Sequence, residues 1–122
     1  MPQNSGSLAL YLANTFINLP VGVSGNIFNF VEYARMHVQN FTGYSIDPNG
    51  IDDKYVPPIL DYAKSDIVNM NNADGGGGTN SIGELSINEA GGLLSAQQYT
   101  LLGDMKLKAI GRAVRFARAL SA

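Results

Sequence analysis

His37 is the only imidazole in these 122 residues, and cysteine and tryptophan are absent. Thiolate nucleophiles, disulfides, Cys-ligated zinc and any mechanism needing two histidines in one subunit are therefore excluded. A hydroxyl nucleophile would need Ser or Thr and Asp brought to His37 from elsewhere in the chain. No Gly-x-Ser-x-Gly elbow is present to do it. The spacing places His37 beside Tyr33 and Phe41 at the border of a helix's apolar face, which reads as a partly buried structural histidine. Asp47, Asp52 and Asp53 gather near a turn but lack the alternating ligand positions of a calcium loop. Turn formation and helix capping account for them more simply. Gly75 to Gly78 are not followed by Gly-Lys-Ser/Thr, so they are not a phosphate cradle. Ten acidic residues without a local pairing signature name no glycosidase dyad. The expectation is a non-enzymatic protein with no metal and no cofactor.

The charged residues divide unevenly. Residues 104–122 hold Lys106, Lys108, Arg112, Arg115 and Arg118 against Asp104, a net charge of +4, while residues 1–103 carry −6. On a helical wheel Lys108, Arg112, Arg115 and Arg118 fall within about 120°. The apolar residues Leu101, Leu102, Met105, Ala109, Ile110, Ala113, Val114, Ala117 and Leu120 are expected to face the other way. Arginine favours shaped contacts with carboxylate or phosphate. Such a stripe suits an acidic protein surface, nucleic acid or an anionic membrane surface, and without an aromatic base-stacking platform sequence-specific reading of nucleic acid is not expected. Only 15% of residues are charged against 45% hydrophobic, which fits a protein whose faces are covered by neighbours.

These side chains must be positioned by a mainly α fold, a small bundle of three to four helices in a single domain covering 1–122. Ser5 or Ser7 is expected to cap a first helix carrying Leu8, Tyr11, Leu12, Thr15, Phe16 and Leu19, stopped at Pro20. Residues 8–23 are too short and too polar to span a membrane. A helical core follows over residues 24–70. Ile27, Val31, Ala34, Val38 and Phe41 line one face and Gly43 stops that helix. Asp47 to Gly50 is a turn, and Pro57 and Pro58 sit in the first turn of a helix buried through Leu60, Ala63, Ile67 and Met70. Residues 71–94 form a glycine-rich loop with an extended segment or β-hairpin. Ile82, Leu85 and Ile87 are its candidates for contact with a partner. Ser95 and Gln98 form a capping box that opens the basic C-terminal helix, residues 95–122. Gly111 weakens that helix or bends it.

The order of elements resembles that of the small head-to-tail connector (adaptor, head-completion) proteins of tailed phages and related viruses. The resemblance rests on Val38-Gln39-Asn40-Phe41-Thr42-Gly43, on Ile51-Asp52-Asp53-Lys54-Tyr55-Val56-Pro57-Pro58-Ile59-Leu60 continuing as Asp61-Tyr62-Ala63-Lys64-Ser65-Asp66-Ile67, on Ser81-Ile82-Gly83-Glu84-Leu85-Ser86-Ile87, and on Lys108-Ala109-Ile110-Gly111-Arg112-Ala113-Val114-Arg115-Phe116. It covers roughly residues 24–118 and includes no catalytic motif. It implies a helical adaptor in the virion neck that assembles as a ring between portal and tail or stopper proteins and lines the DNA channel. It also implies an arm over residues 71–92 that reaches a neighbour, and a C-terminal helix that docks on the portal. The competing expectation is a cellular helical module that sets the cationic helix on an acidic partner or membrane surface.

Overall fold

Asn4, rather than Ser5 or Ser7, begins the first helix. In the computed structural model, which describes residues 3–73 and 85–121 with side chains as far as 111, its Oδ1 accepts from the Ser7 amide at 2.7 Å. The Ser7 hydroxyl accepts in turn from the Asn4 amide at 3.1 Å, so two orphan helix donors are satisfied reciprocally. Helix α1 (Ser5–Thr15) stops five residues short of Pro20. Thr15 commits its hydroxyl to the Tyr11 carbonyl at 2.6 Å, Phe16 turns extended, and Asn18 adopts a left-handed φ of 65°. Ser5 is buried at the first helical position, and its hydroxyl has no hydrogen-bond partner. Ser5→Ala should therefore raise the unfolding free energy by about 1 kcal/mol, read by urea denaturation.

Phe16 and Ile17 form β1, and a single turn, α2 (Val21–Ser24), leads into α3 (Ile27–Thr42). The buried face of α3 carries Ile27, Val31, Ala34 and Val38, as the 4-3-4 spacing requires, and Gly43 ends it at φ 75°. The Asp47 carboxylate accepts from the Asn49 amide at 2.9 Å, and Asp52 caps the 3₁₀ turn Asp53–Tyr55. The turn is stitched to the N-terminus by a bridge between Gln3 and Ile51, with N–H···O distances of 2.6 and 3.1 Å. Pro57 and Pro58 fall in the first turn of α4 (Val56–Asn71), where no intrahelical donor is lost.

Helix α4 is the centre of the bundle. It packs against α3 and α5, with α1 across α3, and Ile59, Ala63 and Ile67 are fully enclosed. Leu12, Val31, Val38, Ile51 and Leu107 complete the core around it. A small helical bundle with an extended segment between its last two helices is thus the architecture of the chain.

The described part of the extended segment, from Leu85 on, does not extend away from the body. Strand β2 (Ser86–Ile87) pairs antiparallel with β1, Phe16 opposite Ile87 and Ile17 opposite Ser86, so the sheet joins distant parts of the chain. Ile87, expected to meet a partner, is 7% exposed within the core, and Leu85 packs partly buried against it. Burial of an isoleucine on the core side of a strand is worth about 2 kcal/mol, which favours folding inward. Beyond β2 the Asn88 amide donates to the Thr15 carbonyl at 2.8 Å. The carboxylate of Glu89 takes Lys64 Nζ at 2.6 Å and the Tyr11 hydroxyl at 3.1 Å. Ile82 and the glycines 75–78 lie outside the described residues.

Helix α5 (Ala96–Ser121) opens at the expected box. The Ser95 hydroxyl accepts from the Gln98 amide at 3.2 Å, and Gln98 Oε1 from the Ser95 amide at 2.8 Å. Its inner face differs from expectation. Leu101 and Met105 are 61% and 68% exposed. Ala96, Tyr99, Gly103, Leu107 and Gly111 face inward instead. A Cβ on Gly103 would stand 3.1 Å from the Tyr62 ring, and one on Gly111 would stand 2.7 Å from Phe41. The helix approaches its neighbours through its smallest residues, which turns the larger Leu101 and Met105 outward. Gly111 serves this close approach.

Candidate functional site

Three pairs of residues spaced i,i+4 converge on one groove. Tyr33 and His37 come from α3, Tyr62 and Asp66 from α4, and Thr100 and Asp104 from α5, with Ala34 and Ser65 at the floor. On a helix that spacing stacks two side chains on one face, so each helix contributes one wall. The space they enclose is about 340 Å³. That is at the small end for ligand cavities and suits a single side chain or compact ion.

Tyr62 organises the groove. Its hydroxyl donates to Asp104 Oδ1 at 2.5 Å, and its ring meets the His37 imidazole edge-on at 4.7 Å between centroids. Burial, and then the hydrogen bond and negative charge of Asp104, push its hydroxyl pKa well above the ordinary 10.0. Folded chains therefore keep this proton where unfolded chains release it. The stability it contributes is complete below about pH 10 and is lost as pH rises toward the folded value. Alkaline denaturation should become less steep in Tyr62→Phe, which should also lose the last step of the phenolate absorbance titration. At neutral pH the same variant should lose about 1 kcal/mol.

Ser65 is not an activated nucleophile. Its hydroxyl donates to the Ala96 carbonyl at 2.9 Å, so the Thr100 hydroxyl is the donor across the 2.8 Å separating Thr100 and Ser65. His37 touches the Tyr62 ring and makes no hydrogen bond to Ser65, Asp66 or Asp104. The groove thus gathers His, Ser and Asp side chains without the nucleophile–base–orienter geometry of acyl transfer.

Asp66 stands apart from the other carboxylates. The ion pairs among the described residues are Arg35–Glu32, Lys64–Glu89 and Lys106–Asp61. Among the described residues, half-buried Asp66 makes no ion pair and no hydrogen bond, and burial raises its carboxyl pKa above the ordinary 3.8. A second cavity of about 350 Å³, lined by Asn69, Gln97 and Leu101, shares Ser65 and Thr100 with the first.

The residues singled out from the sequence are only partly brought to this site. Lys108 is exposed on α5, three residues after exposed Met105. Positions 112, 115 and 118 continue the same helix, but the side chains of Arg112, Arg115 and Arg118 lie outside the described residues. Ile87 lies in the core and Leu85 packs partly buried against it. His37 is more exposed than expected and forms part of the groove wall. Sequence reasoning missed Tyr62, Asp66, Thr100 and Asp104 as a group. The matching i,i+4 pairs of aromatic, hydroxyl and carboxylate side chains on three helices were the available signal. Among the described residues no group of His, Asp and Glu could hold a metal ion, and no helix is long and apolar enough to cross a membrane. Comparison with family models, curated proteins and solved structures finds no match to this chain.

Proposed function

We propose that this chain is a structural subunit that works by contact, a ring-forming adaptor of the kind implied by its resemblance to the head-to-tail connectors of tailed viruses. The observation that carries the reading is the set of large apolar side chains standing in solvent. Val21 is 89% exposed, and Leu101 and Met105 make an apolar pair one turn apart on α5, beside Lys108. Leu10, Phe28 and Tyr33 add to it on α1 and α3. Paired on one helix face, as Leu101 and Met105 are, water-facing apolar groups mark a surface that gains by being covered. In this reading α5 supplies the surface between subunits, and the portal and tail or stopper proteins are the partners at either end of the ring. Residues 85–92 brace the subunit's own body, so an arm to a neighbour is drawn from elsewhere.

Sedimentation velocity across a concentration series, with negative-stain microscopy of the largest species, tests the reading. Closed rings are the expected result. Leu101→Asp with Met105→Asp should leave thermal unfolding within about 0.5 kcal/mol of the parent, because both sites are exposed, and should abolish the rings. A chain that stays monomeric throughout, or rings indifferent to the double change, would overturn it.

A further inference from the structure

The groove between α3, α4 and α5 brings carboxylates and aromatic rings together. Its carboxylates are half-buried Asp66, unpaired among the described residues, and Asp104, which holds the Tyr62 hydroxyl. The rings of Tyr33, Tyr62 and His37 line the same groove, and Tyr33 is 58% exposed. The lysines nearest in sequence are engaged elsewhere, Lys64 with Glu89 and Lys106 with Asp61. A carboxylate taken partly out of water without a counter-charge is costly to the fold, and a cation that displaces the remaining water restores the balance. Carboxylates and aromatic rings lining one groove match a guanidinium, which can fork onto a carboxylate and stack on a ring.

We propose that this groove is a binding site for an arginine side chain supplied by the C-terminal helix of a second copy of the chain. Charge complementarity names the donor. Residues 104–122 carry +4 and residues 1–103 carry −6, and Arg112, Arg115 and Arg118 all lie in the basic part. The groove cannot be served from within its own chain by the later arginines. Asp104 and positions 115 and 118 share one continuous helix, which sets them about 16 and 21 Å apart along its axis. Groove and donor are thus different surfaces of one molecule. Passed on in one direction from copy to copy, such a contact is head-to-tail, the type that forms a ring when its rotation closes. The inference rests on the self-assembly reading and identifies which contact makes the assembly.

The test uses a fluorescent peptide of residues 104–122 titrated with the full-length protein at a concentration where the chain is monomeric, followed by anisotropy. Saturable binding is expected. Asp66→Asn should weaken it ten- to hundredfold, the value of a hydrogen bond to a charged group. Tyr33→Ala should weaken it two- to fivefold through loss of one stacking face. Asp66→Asn removes a poorly solvated charge, so it should fold at least as stably as the parent, and circular dichroism verifies this. A peptide carrying citrulline at positions 112, 115 and 118 should not bind. Equal affinity for parent and Asp66→Asn, or for the arginine and citrulline peptides, overturns the groove even if rings form. Absence of rings with peptide binding intact and sensitive to Asp66 supports the groove and overturns only the ring.

Discussion

A leucine at Gly103 should lower the unfolding free energy by about 3 kcal/mol, while alanine at Leu101 and Met105 should cost less than about 0.5 kcal/mol together. The two results invert what the hydrophobic pattern of α5 suggests. The first atom of a side chain at Gly103 already stands 3.1 to 3.2 Å from three atoms of the Tyr62 ring. That ring cannot easily yield, because its hydroxyl is tied to Asp104 and it packs against the His37 imidazole. Alanine at Gly103 sets about 1 kcal/mol of helix propensity against that crowding, so it should be close to neutral. Leucine adds three more carbons to the same space and forces α4 and α5 apart. Denaturant titration of the three variants checks the ranking. A Gly103→Leu protein as stable as the parent would show that the seam between the helices is looser than its geometry requires.

Glu89→Ala should cost about 2 kcal/mol and should speed exchange of the Asn88 amide. Lys64 is unusual here: its side chain is only 10% exposed, and its ammonium meets the Glu89 carboxylate at 2.6 Å. Deleting the acid leaves a charge in a poorly solvated place and removes the acceptor of the Tyr11 hydroxyl. Breaking a buried pair by deleting one partner costs 3 to 5 kcal/mol. The value falls here because Glu89 is a third open to water. Replacing both partners, Lys64→Met with Glu89→Leu, should recover most of the loss, since an apolar pair leaves no orphaned charge. Hydrogen exchange at Asn88, whose amide bonds the Thr15 carbonyl, reports whether residues 86–92 have left the body. Exchange unchanged in Glu89→Ala would mean that the strand pairing alone holds the segment.

The helices were legible because their signals are local. The 4-3-4 spacing of Ile27, Val31, Ala34 and Val38, the stop at Gly43, the prolines opening α4 and the Ser95–Gln98 box each involve residues within a few turns of one another. Asn4 as the first cap was missed by one to three positions, because Asn and Ser are nearly equal as caps and only the backbone selects between them. The candidate groove was not legible. Each wall is an ordinary i,i+4 pair on its own helix, and nothing in Tyr33–His37 announces that Tyr62–Asp66 and Thr100–Asp104 will stand opposite.

What the chain's order of residues determines by itself is therefore the long helices, most of their ends and the separation of charge between body and tail. The tertiary structure decides the rest. It decides that α5 turns its glycines inward and its leucine and methionine outward, because two helices can approach closely only where a side chain is missing. It decides that Ile87 folds back to pair with Phe16, because a strand has no stable partner until a distant part of the chain supplies one. It decides that six side chains from three helices enclose one acidic, aromatic groove, because convergence depends on how the helices pack and not on the pattern within any of them.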